Sequence, residues 1–177
     1  MGSSELIRVE DLEIHYETDD GVVYALNGVS LHVKEGETLG LVGETGAGKT
    51  TLAKGILRLI PSPPGKIVGG KVFFEGEDIL SYSETEMHKI RGNAISMVFQ
   101  DPMTSLNPVM TVGDQIAEVI AVHNPDLGKE ELRERVIAIL AKVGISSDRI
   151  DEYPHQFSGG MKQRVIIAIA LACNPKL

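Results

Sequence analysis

The sequence predicts an α/β fold, and three observations carry that expectation. Before residue 40 the apolar residues alternate loosely at period two; at residues 43–50 a glycine loop separates a short apolar run from a helical one; beyond residue 110 apolar residues recur at helical spacing. Each element follows from its own stretch. "LIRVEDLEIHY" reads as a strand, "TDDG" supplies Asp-Asp-Gly turn chemistry, and "VVYALNGVSLHV" resumes the β-branched pattern. "KEGE" is a second turn, and "TLGLVG" is a short apolar strand entering the glycine loop, with "TTLAKGILRLI" as the helix that leaves it. "AISMVFQD", residues 94–101, is a further apolar strand. "TVGDQIAEVI" places Val112, Ile116, Val119 and Ile120 on one helical face. "KEELRERVIAILAKVG" does the same with Leu132, Val136, Ile139, Leu140 and Val143, and Gly144 ends it. A last helix runs from Ser158 through "VIIAIALA". The break at Asn174-Pro175 followed by Lys176-Leu177 predicts that another element follows.

Composition bounds the function. A chain of 177 residues with 42% hydrophobic content and 19 glycines can bury one core, or a core and a smaller lobe. A net charge of −8 disfavours a nucleic-acid groove, which needs a basic stripe to replace condensed counterions. The single cysteine, Cys173, has no disulfide partner, fits a reducing compartment, and reads as a small buried hydrophobe. The longest apolar run, residues 165–173, is about half of the roughly 20 residues a membrane-spanning helix needs. No charged-then-apolar leader opens the sequence, and Leu6 stands where a myristoylation signal needs Ser or Thr.

The glycine loop carries the chemistry. "GETGAGKT" matches G-x-x-x-x-G-K-[ST] between a predicted strand and a predicted helix, the context the motif requires. Gly43, Gly46 and Gly48 let the backbone turn with its N–H groups inward, and the helix start adds about half a positive charge. Lys49 would reach the β- and γ-phosphates of a nucleotide, and Thr50 would offer its hydroxyl to Mg²⁺. Phosphoryl transfer also needs a carboxylate on the metal, often at the end of an apolar strand. Asp101 stands in such a place, so the residues alone leave a small nucleotide kinase or GTPase open. "FSGGMKQR", residues 157–164, adds a second anion-ready helix end. Ser158 is a good N-cap, whereas Gly159 and Gly160 both weaken a helix and are not needed for a simple capped start. Two such ends are more than one nucleotide site in a monomer requires.

In this order "GETGAGKT", "MVFQDPMTSLNPVMTVGDQI" and "YPHQFSGGMKQR" resemble the ATP-binding subunit of an ABC transporter. The "QDPMTSLNP" stretch, and "FSGGM" in place of the commoner LSGGQ, are similar to the oligopeptide, dipeptide and nickel importer branch. The resemblance runs from Leu6 to Leu177. It implies a P-loop NTPase core with an N-terminal antiparallel β subdomain over residues 1–101, and an inserted α-helical lobe with the signature motif over residues 102–177. It implies ATP and Mg²⁺ as cofactors. Nucleotide contacts then fall on Gly43, Glu44, Thr45, Gly46, Ala47, Gly48, Lys49, Thr50 and Thr51. Gln100 becomes the glutamine that contacts Mg²⁺ and the catalytic water and relays motion to the permease, which leaves Asp101 a neighbour of that loop. Ser158, Gly159 and Gly160 become the signature that closes over ATP held by the other subunit. Tyr16 becomes the aromatic that stacks on adenine, with Tyr24 as the fallback.

The implied partners are integral-membrane permease subunits, a second ATPase subunit arranged head to tail, and indirectly an extracytoplasmic solute-binding protein, with no nucleic acid. The implied place is peripheral, at the cytoplasmic face of the membrane. In the resemblance, the strand with the Mg²⁺-binding aspartate and the catalytic glutamate lies beyond Leu177, so residues 1–177 are expected to bind ATP with little hydrolysis. Strands 38–43 and 94–101 are then expected to show unpaired apolar edges. None of His15, His32, His88, His123 and His155 is spaced like a metal cluster. The rival to the importer reading within the resemblance is an ABC ATPase without a permease, which "SLNP" and "FSGGM" disfavour.

Overall fold

The structure, a computed structural model, describes residues 4–99 and 105–177. The chain divides into two compact units, Met1–Met87 and His88–Leu177. The boundary expected at residues 101 and 102 falls in a stretch that is not fully described.

The first unit is built on an antiparallel sheet. β1 (Glu5–Thr18) and β2 (Gly21–Lys34) form the expected hairpin, closed at its tip by Thr18 paired with Gly21. β3 (Gly65–Phe74) lies on the other side of β1, and the short β4 (Glu77–Asp78) pairs with the end of β3, giving the order β2-β1-β3-β4. Glu75 and Gly76 join β3 to β4 with φ of 51° and 90°, the left-handed pair a two-residue hairpin turn needs. Side chains alternate across β1, and Ile7, Val9, Leu12 and Ile14 are buried on the face that meets α1 (Lys49–Ile56). Gly55 permits this approach: a Cβ there would stand 2.5 Å from Ile14 Cδ1. The helix stops four residues short of its predicted end. Arg58 adopts φ 52°, and the Arg58 and Leu59 N–H groups donate to the Gly55 and Lys54 carbonyls at 3.0 and 2.8 Å, a Schellman closure that satisfies the last carbonyls.

Residues 38–43 do not form the expected strand. A strand exists only by pairing, and this stretch has no ladder partner among the described residues. Leu39, Leu41 and Val42 are accordingly 43%, 48% and 99% exposed.

α2 (Glu84–Ile90) precedes the second stretch expected to be a strand. There too, among the described residues, only an isolated bridge forms, between Arg91 and Ile95, and Val98 and Phe99 stay exposed. Backbone pairing begins at one place: Lys176 N–H donates to Ala94 O at 2.9 Å, and Ser96 N–H to Leu177 O at 2.8 Å.

The second unit is a helical lobe of α3 (Val112–His123), α4 (Lys129–Lys142) and α5 (Gly159–Leu171). Its core holds the predicted stripes, with Val112, Ile116, Ile120, Val136, Ile139 and Leu140 all buried, packed against Val165, Ile166 and Ala168 of α5. Val119, Leu132 and Val143 are only partly buried. Gly144 sits just past α4 at φ 72°, and Ile145 N–H returns to Leu140 O at 2.9 Å, the closure expected of a glycine there.

Candidate nucleotide-binding site

The "KEGE" turn is formed as expected: Gly36 has φ 75°, and Lys34 and Glu37 close the turn through backbone and side chain at 3.0 and 2.7 Å. The glycine loop then runs into α1. Gly46 and Gly48 adopt φ of 86° and 81°, a region other residues enter only at a cost. Gly48 is also pressed against β2, where a Cβ would lie 2.7 Å from the Ala25 carbonyl and 2.8 Å from Leu26 Cδ2. Lys49 folds back over the loop, its Nζ donating to the carbonyls of Gly43 and Glu44 at 2.6 and 2.7 Å. Two of its three donors thus hold the loop, and the third has no partner among the described residues.

Inside the loop Ala47 N–H donates to Glu44 O at 3.2 Å. The N–H groups of Gly48, Lys49 and Thr50 make no hydrogen bond to a described residue, and no acidic side chain stands in the first turn of α1. A half-buried ammonium and several free N–H groups on one helix start form a cradle for an anion with more than one oxygen. The donors therefore fit a polyphosphate. The exposed Thr50, at this same start, fits one hydroxyl contact to a hard cation that the phosphates hold. Among the described residues no group of three or more His, Cys, Asp or Glu could hold a metal by itself.

The second anion-ready end is the start of α5. Ser158 caps it weakly, its Oγ accepting from Met161 N–H at 3.4 Å. Gly159 and Gly160 are exposed, a Cβ at either would meet nothing within 4 Å, and neither has positive φ. Among the described residues nothing in the packing demands glycine there.

Tyr16 is half-buried on β1, its ring beside Gly65 of β3, whereas Tyr24 on β2 is 62% exposed and meets His15 edge-on at 4.4 Å. Gln100 and Asp101 lie outside the described residues. Cys173 is partly buried, and that burial raises its thiol pKa, opposed in part by the Arg135 charge. Among the described residues no helix is long and apolar enough to cross a membrane.

One residue that the helical pattern hides organises the entry to α3. Gln115 interrupts the apolar stripe yet is only 7% exposed. Its Oε1 accepts from Asn107 N–H at 2.9 Å, and its Nε2 donates to the Asn107 and Met110 carbonyls at 3.0 and 3.1 Å. A glutamine at a core-facing position is the one sequence sign of it.

Comparison with known proteins is consistent with this geometry. Residues 26–177 match the family model described as ABC transporter. The chain is 49% identical over 176 residues to the oligopeptide transport ATP-binding protein OppD of Bacillus subtilis, covering 98% of this chain and 49% of that protein. It is 50% identical over 174 residues to a probable peptide ABC transporter ATP-binding protein, y4tR, of Sinorhizobium fredii, covering 97% and 52%. The chain thus spans about half the length of the curated relatives it matches. Among solved structures it is similar to the dimeric, post-hydrolysis form of the ATP-binding cassette MJ0796 bound to ADP and Pi. That likeness has a TM-score of 0.84 and 30% identity, over 96% of this chain and 71% of that one. With the family model spanning most of its length and a cassette fold at that score, the chain belongs to the ABC transporter family.

Proposed function

We propose that this chain is the ATP-binding part of an importer for peptides or similar small solutes, and that it couples ATP binding to movement of a membrane permease. The observation that carries the reading is the pair of bare glycines at the start of α5. Gly159 and Gly160 face open space, so their lack of side chains serves something outside this chain. A phosphate group presented by a second ATPase subunit, head to tail with the first, fits that requirement. The loop at residues 43–51 would bind the nucleotide of its own chain, with Lys49 and the free N–H groups of Gly48 and Thr50 on phosphate oxygens. Thr50 and Gln100 would share Mg²⁺, which neutralises charge on the β- and γ-phosphates. Tyr16 would stack on the base.

The peptide assignment draws on the two relatives' names, both of which describe peptide-transport ATP-binding proteins. The permease, the solute-binding protein that feeds it, and the cytoplasmic face of the membrane as the working place belong to the same proposal. Membership in the family sets aside the nucleotide kinase or GTPase built on Asp101. Within residues 1–177 the proposal is ATP binding at the glycine loop.

Calorimetric titration of residues 1–177 with ATP, with and without Mg²⁺, tests this directly. The expected result is 1:1 binding that Mg²⁺ strengthens and Lys49→Ala weakens about tenfold or more, from loss of a charge-assisted contact. Equal binding by both proteins would remove the loop from the site.

A further inference from the structure

We propose that Arg149 is a positioning residue for the start of α5, its guanidinium fixing residues 156–161 and so the aim of the Ser158 end. The role rests on the reading of that end as a phosphate contact.

Each part of the side chain is engaged. Nε donates to Glu152 Oε2 at 2.7 Å, Nη1 to Met161 Sδ at 3.1 Å, and Nη2 to Gln156 O at 3.0 Å. The guanidinium carbon also stands 4.5 Å from the centre of the buried Phe157 ring. These contacts bracket Ser158: two fall just before it and one just after. The serine's own cap, at 3.4 Å, is too weak to set the loop alone.

The other end of the bracket is fixed to α3. Val112 N–H donates to Glu152 O and Gly113 N–H to Ile150 O, both at 2.8 Å, so the first donors of α3 are spent on the segment that carries Arg149. A Cβ at Gly113 would lie 2.4 Å from Ile150 Cγ1 and 2.7 Å from its carbonyl, so that segment rests flush on the helix. Arg149 therefore ties the start of α3 to the start of α5. Lysine cannot replace it, because a point charge on a flexible stem cannot serve three acceptors and a ring in fixed directions. The thioether of Met161 is a weak acceptor, and a glutamine in its place offers a stronger one.

The test uses Arg149→Met, which keeps the stem, Arg149→Lys, which keeps the charge, and Ser158→Arg, which blocks the helix end. Two readouts are taken: amide hydrogen exchange at Phe157, Met161 and Lys162 against Val136 and Leu140, and ATP·Mg²⁺-driven self-association by sedimentation. Arg149→Met is expected to speed exchange at the first three amides about tenfold, leave the α4 amides unchanged, and weaken association about tenfold. ATP affinity at the glycine loop should stay as in the unsubstituted chain, and Arg149→Lys should recover neither loss. Unchanged exchange in Arg149→Met, or full recovery by lysine, overturns the role of Arg149. If Ser158→Arg abolishes association and Arg149→Met leaves it intact, the arginine role fails and the phosphate reading stands. If association is absent, or is indifferent to Ser158→Arg, the phosphate reading fails, and exchange alone decides whether Arg149 fixes the loop.

Discussion

Three glycine-to-alanine substitutions should have three different effects, because the space around each glycine differs. At Gly48 the backbone has φ 81°, and a Cβ would meet the Ala25 carbonyl at 2.7 Å and Leu26 Cδ2 at 2.8 Å. The carbonyl cannot retreat freely, because Leu26 beside it is paired with Ile14 across the hairpin. The left-handed conformation disfavours alanine by about 1–2 kcal/mol. Overpacking against a fixed backbone adds about 1–3 kcal/mol, so Gly48→Ala should destabilise the first unit by about 2–5 kcal/mol in all. Gly46 has φ 86° but open space around it, so Gly46→Ala should cost only the conformational part, about 1–2 kcal/mol. Gly159 has neither constraint, and alanine there should be neutral or stabilise by up to about 1 kcal/mol. Urea unfolding gives the midpoint and slope for each. Tyrosine fluorescence, read in a Tyr153→Phe background so that only Tyr16, Tyr24 and Tyr82 contribute, reports on the first unit. Amide exchange reports on α5. Equal losses for Gly48→Ala and Gly46→Ala would refute the packing argument, and a destabilising Gly159→Ala would refute the claim that its glycine serves no need inside the chain.

Two further outcomes follow from side chains in the helical lobe. Gln115→Leu removes the partners of Asn107 N–H and of two loop carbonyls, and should destabilise the lobe by about 1–3 kcal/mol while exposing residues 107–111 to faster exchange. Unchanged exchange there would show that the glutamine does not hold the loop. Cys173, whose burial raises its thiol pKa, should react with a thiol reagent more slowly than a free cysteine at pH 8. The difference should vanish on unfolding in urea, and a native rate equal to the unfolded one would contradict the burial.

What could be read from the sequence was what local chemistry decides. The stripes of α3 and α4 are buried nearly as spaced, and the hairpin, the KEGE turn and the closure at Gly144 follow from turn residues in their expected places. The glycine loop opens α1 as its pattern implies, because its glycines alone can hold the left-handed backbone there. Residues 61–93 show no clear period in the sequence, although "SETE" is a capping box: Ser83 Oγ and Glu86 bond each other's backbone at 3.3 and 2.7 Å. β3 was hidden by prolines before it and by Gly69-Gly70 inside it, which break the alternation that marks a strand. The apolar runs at 38–43 and 94–99 look like strands and are not paired as such, because a strand's partner is not written in its own residues. Arg149 escaped for a similar reason, since its contacts span 12 residues of irregular chain with no periodic sign.

The central claim is that one nucleotide is held by the glycine loop of one chain and the Ser158 end of another. Mixing two defective chains tests it most directly: Lys49→Ala keeps the Ser158 end and loses the loop, whereas Ser158→Arg keeps the loop and blocks that end. Sedimentation with ATP and Mg²⁺ should find each variant monomeric alone and a 1:1 heterodimer in the mixture, holding one nucleotide. A mixture that stays monomeric while the unsubstituted chain associates, or a variant that associates by itself, would contradict the shared site.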